Sequence, residues 1–270
     1  MLAEFFIAFF LLGLVAGLTV GLAGIGSTLL ILPTLVLLFP HYMPSDLSIK
    51  MAVATTLACT SVSVSYAAVI HIKKGNVDFS LCLRMAVIYA LTALIGAYTV
   101  HFLPAKIIEI MLGIVLILVG AKTVLMKQSY AATEKNLNTN SFILMTTFAG
   151  LSNSICGIGT GNIAIPYLSR YFSVKRSTGT SIVSTVVACV FGTIAYIYYG
   201  WDLSALPKYS LGYVYAPLFI VISIGMVIGT PIGYKLSERI NPKWIKRLLA
   251  MLVSVAGVFA LIKGILLTGT

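Results

Sequence analysis

Two stretches of this chain, 133 residues apart, carry the same interrupted apolar pattern. Ala16-Gly17-Leu18 and Gly24-Ile25-Gly26 lead to Pro33 and Leu35, while Ala149-Gly150-Leu151 and Gly157-Ile158-Gly159 lead to Pro166 and Leu168. In both copies a Gly-Ile-Gly break and a following hydroxyl residue, Ser27 or Thr160, sit inside a long apolar run. Non-helical backbone at membrane depth must line a cavity or be covered by protein. Matched interruptions in two halves of a chain point to a transporter's binding site.

Composition fixes the class. Only 9% of the residues are charged and 59% are hydrophobic, against about 25% charged in a soluble domain. Apolar runs cover about 5–38, 49–72, 80–103, 107–126, 142–168, 177–200, 211–236 and 244–267, which reads as an all-α polytopic membrane protein in a lipid bilayer. The short alternating strands of a β-barrel are missing. The net charge of +11 resides mostly between apolar runs, so it orients the chain in the membrane and calls for no nucleic acid. Cys59, Cys82, Cys156 and Cys189 fall in or beside apolar runs without a CxxC pair, and read as small core residues, not metal ligands. An acidic Glu4 where a signal peptide carries basic residues predicts that the first segment is retained.

The repeat extends through the whole chain. Lys50, Thr55, Thr56 and Gly75 match Lys175, Thr180, Ser181 and Gly200 at an offset of 125, and Gly96, Lys106 and Gly120 match Gly233, Lys243 and Gly257 at 137. Residues 1–126 and 142–270 are therefore expected to be two four-segment membrane repeats, joined by a central cytoplasmic linker over 127–141. Basic residues are biased oppositely in corresponding loops, the mark of inverted topology under the positive-inside rule. If the first segment of each repeat is a helical hairpin folded at its Gly-Ile-Gly break, fourteen Lys and Arg lie inside and four outside. Simple crossing by all eight segments leaves almost no bias. Two glycine ladders, Gly13/Gly17/Gly21 and Gly225/Gly229/Gly233, read as helix-packing faces.

The chemistry within the segments is neutral and rich in donors. Glu4, Asp46, Asp78, Glu109, Glu134, Asp202 and Glu238 are all expected near segment ends or in loops, which argues against a cation substrate. Free N–H groups and the dipole at a helix start make an anion site. The expected substrate-binding residues are Gly24, Gly26, Ser27, Thr28, Thr55 and Thr56, with Asn153, Gly157, Gly159, Thr160, Gly161, Asn162, Thr180 and Ser181 from the second half. His41, His71 and His101 are expected to do no chemistry, and Tyr42, Tyr196, Tyr198, Tyr199 and Trp201 to form an interfacial belt.

These motifs resemble the TauE/SafE sulfite-exporter family of membrane permeases. The family's duplicated pattern is a glycine motif leading to a proline, then a second helix opening with a basic residue and a small-Thr-Ser/Thr step. Gly24 to Ser27, Pro33, Lys50 and Ala54-Thr55-Thr56 match it, as do Gly157 to Gly161, Pro166, Lys175 and Gly179-Thr180-Ser181. The resemblance implies a secondary transporter that moves small sulfur-containing or organic anions, of the sulfite or sulfonate type, across the cell inner membrane. An anion or small-solute channel is the alternative. An enzyme is not expected: HExxH, GxSxG and buried Asp pairs are missing. No cofactor is expected beyond a coupling ion, H+ or Na+, and both a monomer and a homo-oligomer are open.

Overall fold

The computed structural model describes residues 2–24, 27–125 and 137–237, with positions 239, 257, 258, 261 and 262. The first half holds α1 (Leu2–Ala23), α2 (Ser27–Leu38) running into a 3-10 turn (Phe39–His41), α3 (Ser45–Lys73), α4 (Phe79–Phe102) and α5 (Ala105–Leu125). The second holds α6 (Thr139–Cys156), α7 (Gly161–Leu168), α8 (Val174–Gly200) and α9 (Ala216–Ser237). Side-chain oxygens of Asp78, Asn138 and Ser173 accept from backbone N–H groups in the first turns of α4, α6 and α8, which fixes where these helices start. Of the expected linker, 127–136 lies outside the described residues and 139–141 already belongs to α6. Most of the expected last segment, 244–267, also lies outside them.

Among the described residues, five helices are long and apolar enough to cross a membrane, over Glu4–Leu22, Asp46–Lys73, Phe79–Phe102, Val174–Gly200 and Ala216–Ser237. Large apolar side chains such as Leu83, Val87, Leu91 and Ile95 on α4, and Ile220, Ile224 and Ile228 on α9, are exposed. Such rows need lipid rather than water outside them. α2 has 12 residues and α7 has 8, so at 1.5 Å per residue they rise about 18 and 12 Å, short of the ~30 Å hydrocarbon core.

Local contacts sort the termini of the helices into two ends. At one end Glu4, Phe5, Tyr42, Pro207 and Tyr215 line a cavity of about 620 Å³. There too Lys50 Nζ donates to the His101 carbonyl at 2.8 Å, and His101 Nδ1 lies 3.1 Å from the Tyr213 hydroxyl. At the other end Arg176 pairs with Asp78 at 2.6 Å, and the Tyr167 hydroxyl bonds Ser141 at 3.1 Å. The pair α1–α2 thus starts and finishes at the first end, and α6–α7 at the second.

The halves exchange partners. α1 packs on α9 and, in the repeat-equivalent arrangement, α6 packs on α4; α3 and α8 pack on each other between them. The ladders are the α1–α9 seam: a Cβ on Gly17 would lie 2.7 Å from Met226 Cα, and one on Gly233 would lie 2.9 Å from Leu18 Cα.

Two expectations need correction. The segment expected from 211 opens instead with an antiparallel strand pair, β1 (Ser210–Leu211) and β2 (Val214–Tyr215), and helix begins only at Ala216. Positive φ at Tyr209 and Gly212 turns the chain there. Tyr196 is no belt residue: it is fully buried and its hydroxyl donates to the Ser154 carbonyl at 2.6 Å. Glu109 lies near the start of α5, in its second turn, and is fully buried there. It falls on the stripe of Ala105, Ile108, Leu112 and Leu116 that faces the core at helical spacing.

Candidate functional site

Both helix breaks are made by glycine in the left-handed region. Gly24 has φ +64°, Gly157 +62° and Gly159 +78°, angles that other L residues adopt only at a cost. Gly26 lies outside the described residues. The two breaks meet. Thr28 Oγ1 donates to the Ile158 carbonyl at 3.0 Å. A Cβ on Gly161 would stand 2.8 Å from the Gly24 carbonyl oxygen, and one on Gly159 would stand 2.9 Å from Thr28 Oγ1. The starts of α2 and α7, each with N–H groups that its own helix cannot satisfy, therefore lie beside one another.

Each break is held between α3 and α8 by a repeated set of contacts. Ser27 Oγ meets Thr60 Oγ1 at 3.4 Å, and their counterparts at offsets of 133 and 125, Thr160 and Thr185, bond in the same way. The glycines reach across to the other half: Gly24 backs onto Thr178 and Ile182 of α8, Gly157 onto Val53 of α3. Val53, Thr56 and Thr60 share one face of α3, as Thr178, Ser181 and Thr185 share one face of α8. Thr56 and Ser181 are therefore positioned between the contact points. Both hydroxyls are fully buried and have no hydrogen-bond partner.

Thr55 and Thr180 are engaged elsewhere. Thr55 Oγ1 accepts from the Tyr215 N–H at 3.0 Å and Thr180 Oγ1 from the Asp78 N–H at 2.9 Å. Each ties its helix to a connection of the other half, and the two bonds are again repeat-equivalent. Thr55 and Thr180 hold the halves together and do not face the breaks.

The second break carries polar groups that the first does not. Asn153 Oδ1 accepts from the Gly159 N–H at 3.1 Å, and Asn162 Nδ2 donates to the carbonyls of Ile158 and Gly159. Asn153 Nδ2 is buried without a partner, and the adjacent Cys189 thiol is only a weak acceptor. Tyr89 of α4 was missed by sequence reasoning. Its hydroxyl is fully buried and lies close enough to Thr160 to interact with it, but outside hydrogen-bond geometry. A tyrosine within an otherwise apolar segment, ten or more residues from either end, is the signal that could have found it.

A bundle of long apolar helices with large apolar side chains on its outer faces belongs to the multi-pass membrane proteins. The chain matches the Sulfite exporter TauE/SafE family over residues 9–260 and belongs to it. It is 27% identical over 255 residues to a probable membrane transporter protein of Haemophilus influenzae, covering 94% of this chain and 97% of that one. A probable membrane transporter protein of Methanocaldococcus jannaschii is 25% identical over 257 residues, covering 93% and 94%. No solved structure matches the chain. The protein is thus a member of a membrane transporter family.

Proposed function

We propose that the protein is a secondary carrier of small anions of the sulfite or sulfonate type, and not an enzyme, with its site where the two breaks meet. The observation that carries this reading is the Thr28–Ile158 contact, which sets the starts of α2 and α7 side by side in the buried centre. Helix starts with free N–H groups favour negative charge, and buried hydroxyls and an amide stand ready beside them. Gly24, Ser27, Thr28, Thr56, Asn153, Gly157, Gly159, Thr160, Gly161, Asn162 and Ser181 form the site; Thr55 and Thr180 support it.

The membrane arrangement proposed with it is an inverted pair of repeats in the inner membrane, each opening with a hairpin that enters and leaves on one side. The division of contacts into two ends and the fourteen-to-four distribution of basic residues support this. A carrier is favoured over a channel because Ser27, Thr28 and Thr160 are at most 2% exposed, so the breaks are closed on each other and not around a pore. Counterflow in proteoliposomes tests the reading. Labelled sulfite should accumulate transiently against preloaded unlabelled sulfite, and runs with imposed proton and sodium gradients identify the coupling ion. Flux without exchange acceleration would favour the channel, and absence of anion flux of any kind would remove the reading.

A further inference from the structure

The repeat makes the two breaks alike in backbone, yet their side-chain surroundings differ. At the repeat offsets, Asn153, Tyr89 and Cys189 correspond to Val20, Met226 and Val64. Val20 and Val64 pack in a small apolar cluster with Ala67, Ala68 and Ile182, and Met226 is fully buried in the main core. Both breaks thus have buried hydroxyls, Thr56 answering Ser181, but among the described residues a buried amide and a buried phenol stand at the second break alone.

We infer that the substrate is recognised one-sidedly, by Asn153, Tyr89 and Ser181 around residues 159–161, as a small oxyanion presenting several acceptor oxygens. This rests on the anion-carrier reading and names which half does the recognising. The amide of Asn153 has a fixed sense. The Gly159 N–H can only donate, so the amide oxygen must face it. The amide nitrogen, 1% exposed as a residue and without a protein partner, is left to donate. Tyr89 Oη faces Thr160, and Ser181 Oγ stands 3.9 Å from where a Cβ on Gly161 would be. Both hydroxyls are unpartnered and both converge on the same three residues.

Acceptors at this place are already taken. The Ile158 carbonyl receives Thr28 and Asn162, and the Gly159 carbonyl receives the Asn162 side chain and backbone N–H. Spare donors beside occupied acceptors suit a ligand made of acceptors and oppose a metal cation. At the first break valine and methionine stand where the amide and the phenol are at the second, so it offers the Ser27, Thr28 and Thr56 hydroxyls but neither of those two donors.

A structural role and a ligand role predict opposite effects on the free protein. Removing a buried hydroxyl that has no partner leaves folding unchanged or improves it, while removing a ligand contact weakens binding. The full-length protein is purified in detergent, and its thermal midpoint and calorimetric Kd are measured with sodium sulfite and sodium sulfoacetate, with sodium chloride as control. Tyr89→Phe and Ser181→Ala should keep or raise the ligand-free midpoint and raise Kd for the better anion about tenfold each. Asn153→Leu should raise it at least as far, and Asn153→Asp, which turns a donor toward an acceptor, should abolish anion binding. If the parent binds an anion and Tyr89→Phe, Ser181→Ala and Asn153→Leu all bind it with parental affinity, the one-sided assignment is overturned and the carrier reading stands. If the parent binds neither anion, or Asn153→Asp gains sodium binding, both fall.

Discussion

Thr28 and Ile158 are 130 residues apart in sequence and 3.0 Å apart at the hydroxyl and carbonyl that join them. The contact joins the break regions of the two halves directly, whereas the hydroxyl ties of Ser27 and Thr160 run from each break to α3 or α8. Thr28→Val keeps the shape and removes the donor. Within membranes such bonds contribute about 0.6 kcal/mol on average and up to about 1.7, so the thermal midpoint should fall only slightly. The counterflow rate should change more than the midpoint, because separation of the breaks is the movement a carrier must make. Parental transport with a normal midpoint would show that this contact takes no part in the cycle.

Gly159→Val should be far more damaging than a substitution at Gly75. Both glycines have positive φ, but a Cβ at Gly159 meets Thr28 Oγ1 at 2.9 Å whereas nothing lies within 4 Å of one at Gly75. Gly75→Asn should express and transport normally, since Asn tolerates the left-handed region. Gly159→Val adds a bulky β-branched side chain to the same strain and should abolish transport. Comparable transport by the two variants would mean the second break is not the site.

The seam between α1 and α9 makes a third comparison. Gly17→Leu would drive a side chain into the Met226 backbone and should prevent recovery of folded protein, seen as loss of a monodisperse peak on gel filtration. Gly192→Ala, whose Cβ would have its closest contact at 3.4 Å from Leu57, should cost little. A folded, stable Gly17→Leu protein would refute close backbone packing here.

The matched glycine and hydroxyl positions were legible because the residues shared by the two stretches have a backbone duty. Glycine at positive φ, the paired hydroxyls Ser27/Thr160 and Thr60/Thr185, and the Thr55/Thr180 ties recur because both halves need the same break and the same support. Tyr89 escaped notice for the complementary reason. Its counterpart is Met226, and a search for matches passes over positions where the halves differ. Tyr196 was misplaced because nearness to a helix end resembles a belt position, whereas its burial depends on packing near Ser154 and Tyr213.

Acid should loosen the end of the molecule that holds Asp78. Burial of that carboxyl opposes its ionisation, but the Leu81 N–H and the Arg176 guanidinium outweigh it and hold its pKa below the ordinary carboxylate range. A depressed folded pKa gives stability that is present above the unfolded value of about 3.9 and is lost as pH falls through the folded value. Arg176 is 46% exposed, so the pair contributes no more than about 1 kcal/mol. Arg176→Gln should therefore lower the thermal midpoint slightly at pH 7, and the difference from the parent should vanish as pH falls through the folded value, because only the parent has the pair's stability to lose. Superimposable midpoint-against-pH curves for the two proteins would exclude the pair as a pH-dependent tie.

The two ends of the fold make a final prediction about sidedness. Arg176 with Asp78, and Tyr167 with Ser141, put the connections near residues 73–78, 137–141 and 167–176 at one end. Lys50 with His101, and the cavity shared by Glu4, Tyr42 and Pro207, put those residues at the other. The basic residues divide the same way, with Lys73, Lys74, Arg170, Lys175 and Arg176 at the Asp78–Arg176 end and Lys50 and Lys208 at the Glu4–Tyr42 end, so the Asp78–Arg176 end should be cytoplasmic. Because the four native cysteines are buried, single cysteines can be added at exposed sites and read against a slow background. Lys73→Cys and Thr139→Cys should react with a membrane-impermeant maleimide only in inverted vesicles, and Tyr42→Cys and Lys208→Cys only in intact cells. Both pairs reacting from one side would break the two-ended arrangement itself. A clean reversal would keep the fold and invert the orientation, and with it the face from which the proposed site is loaded.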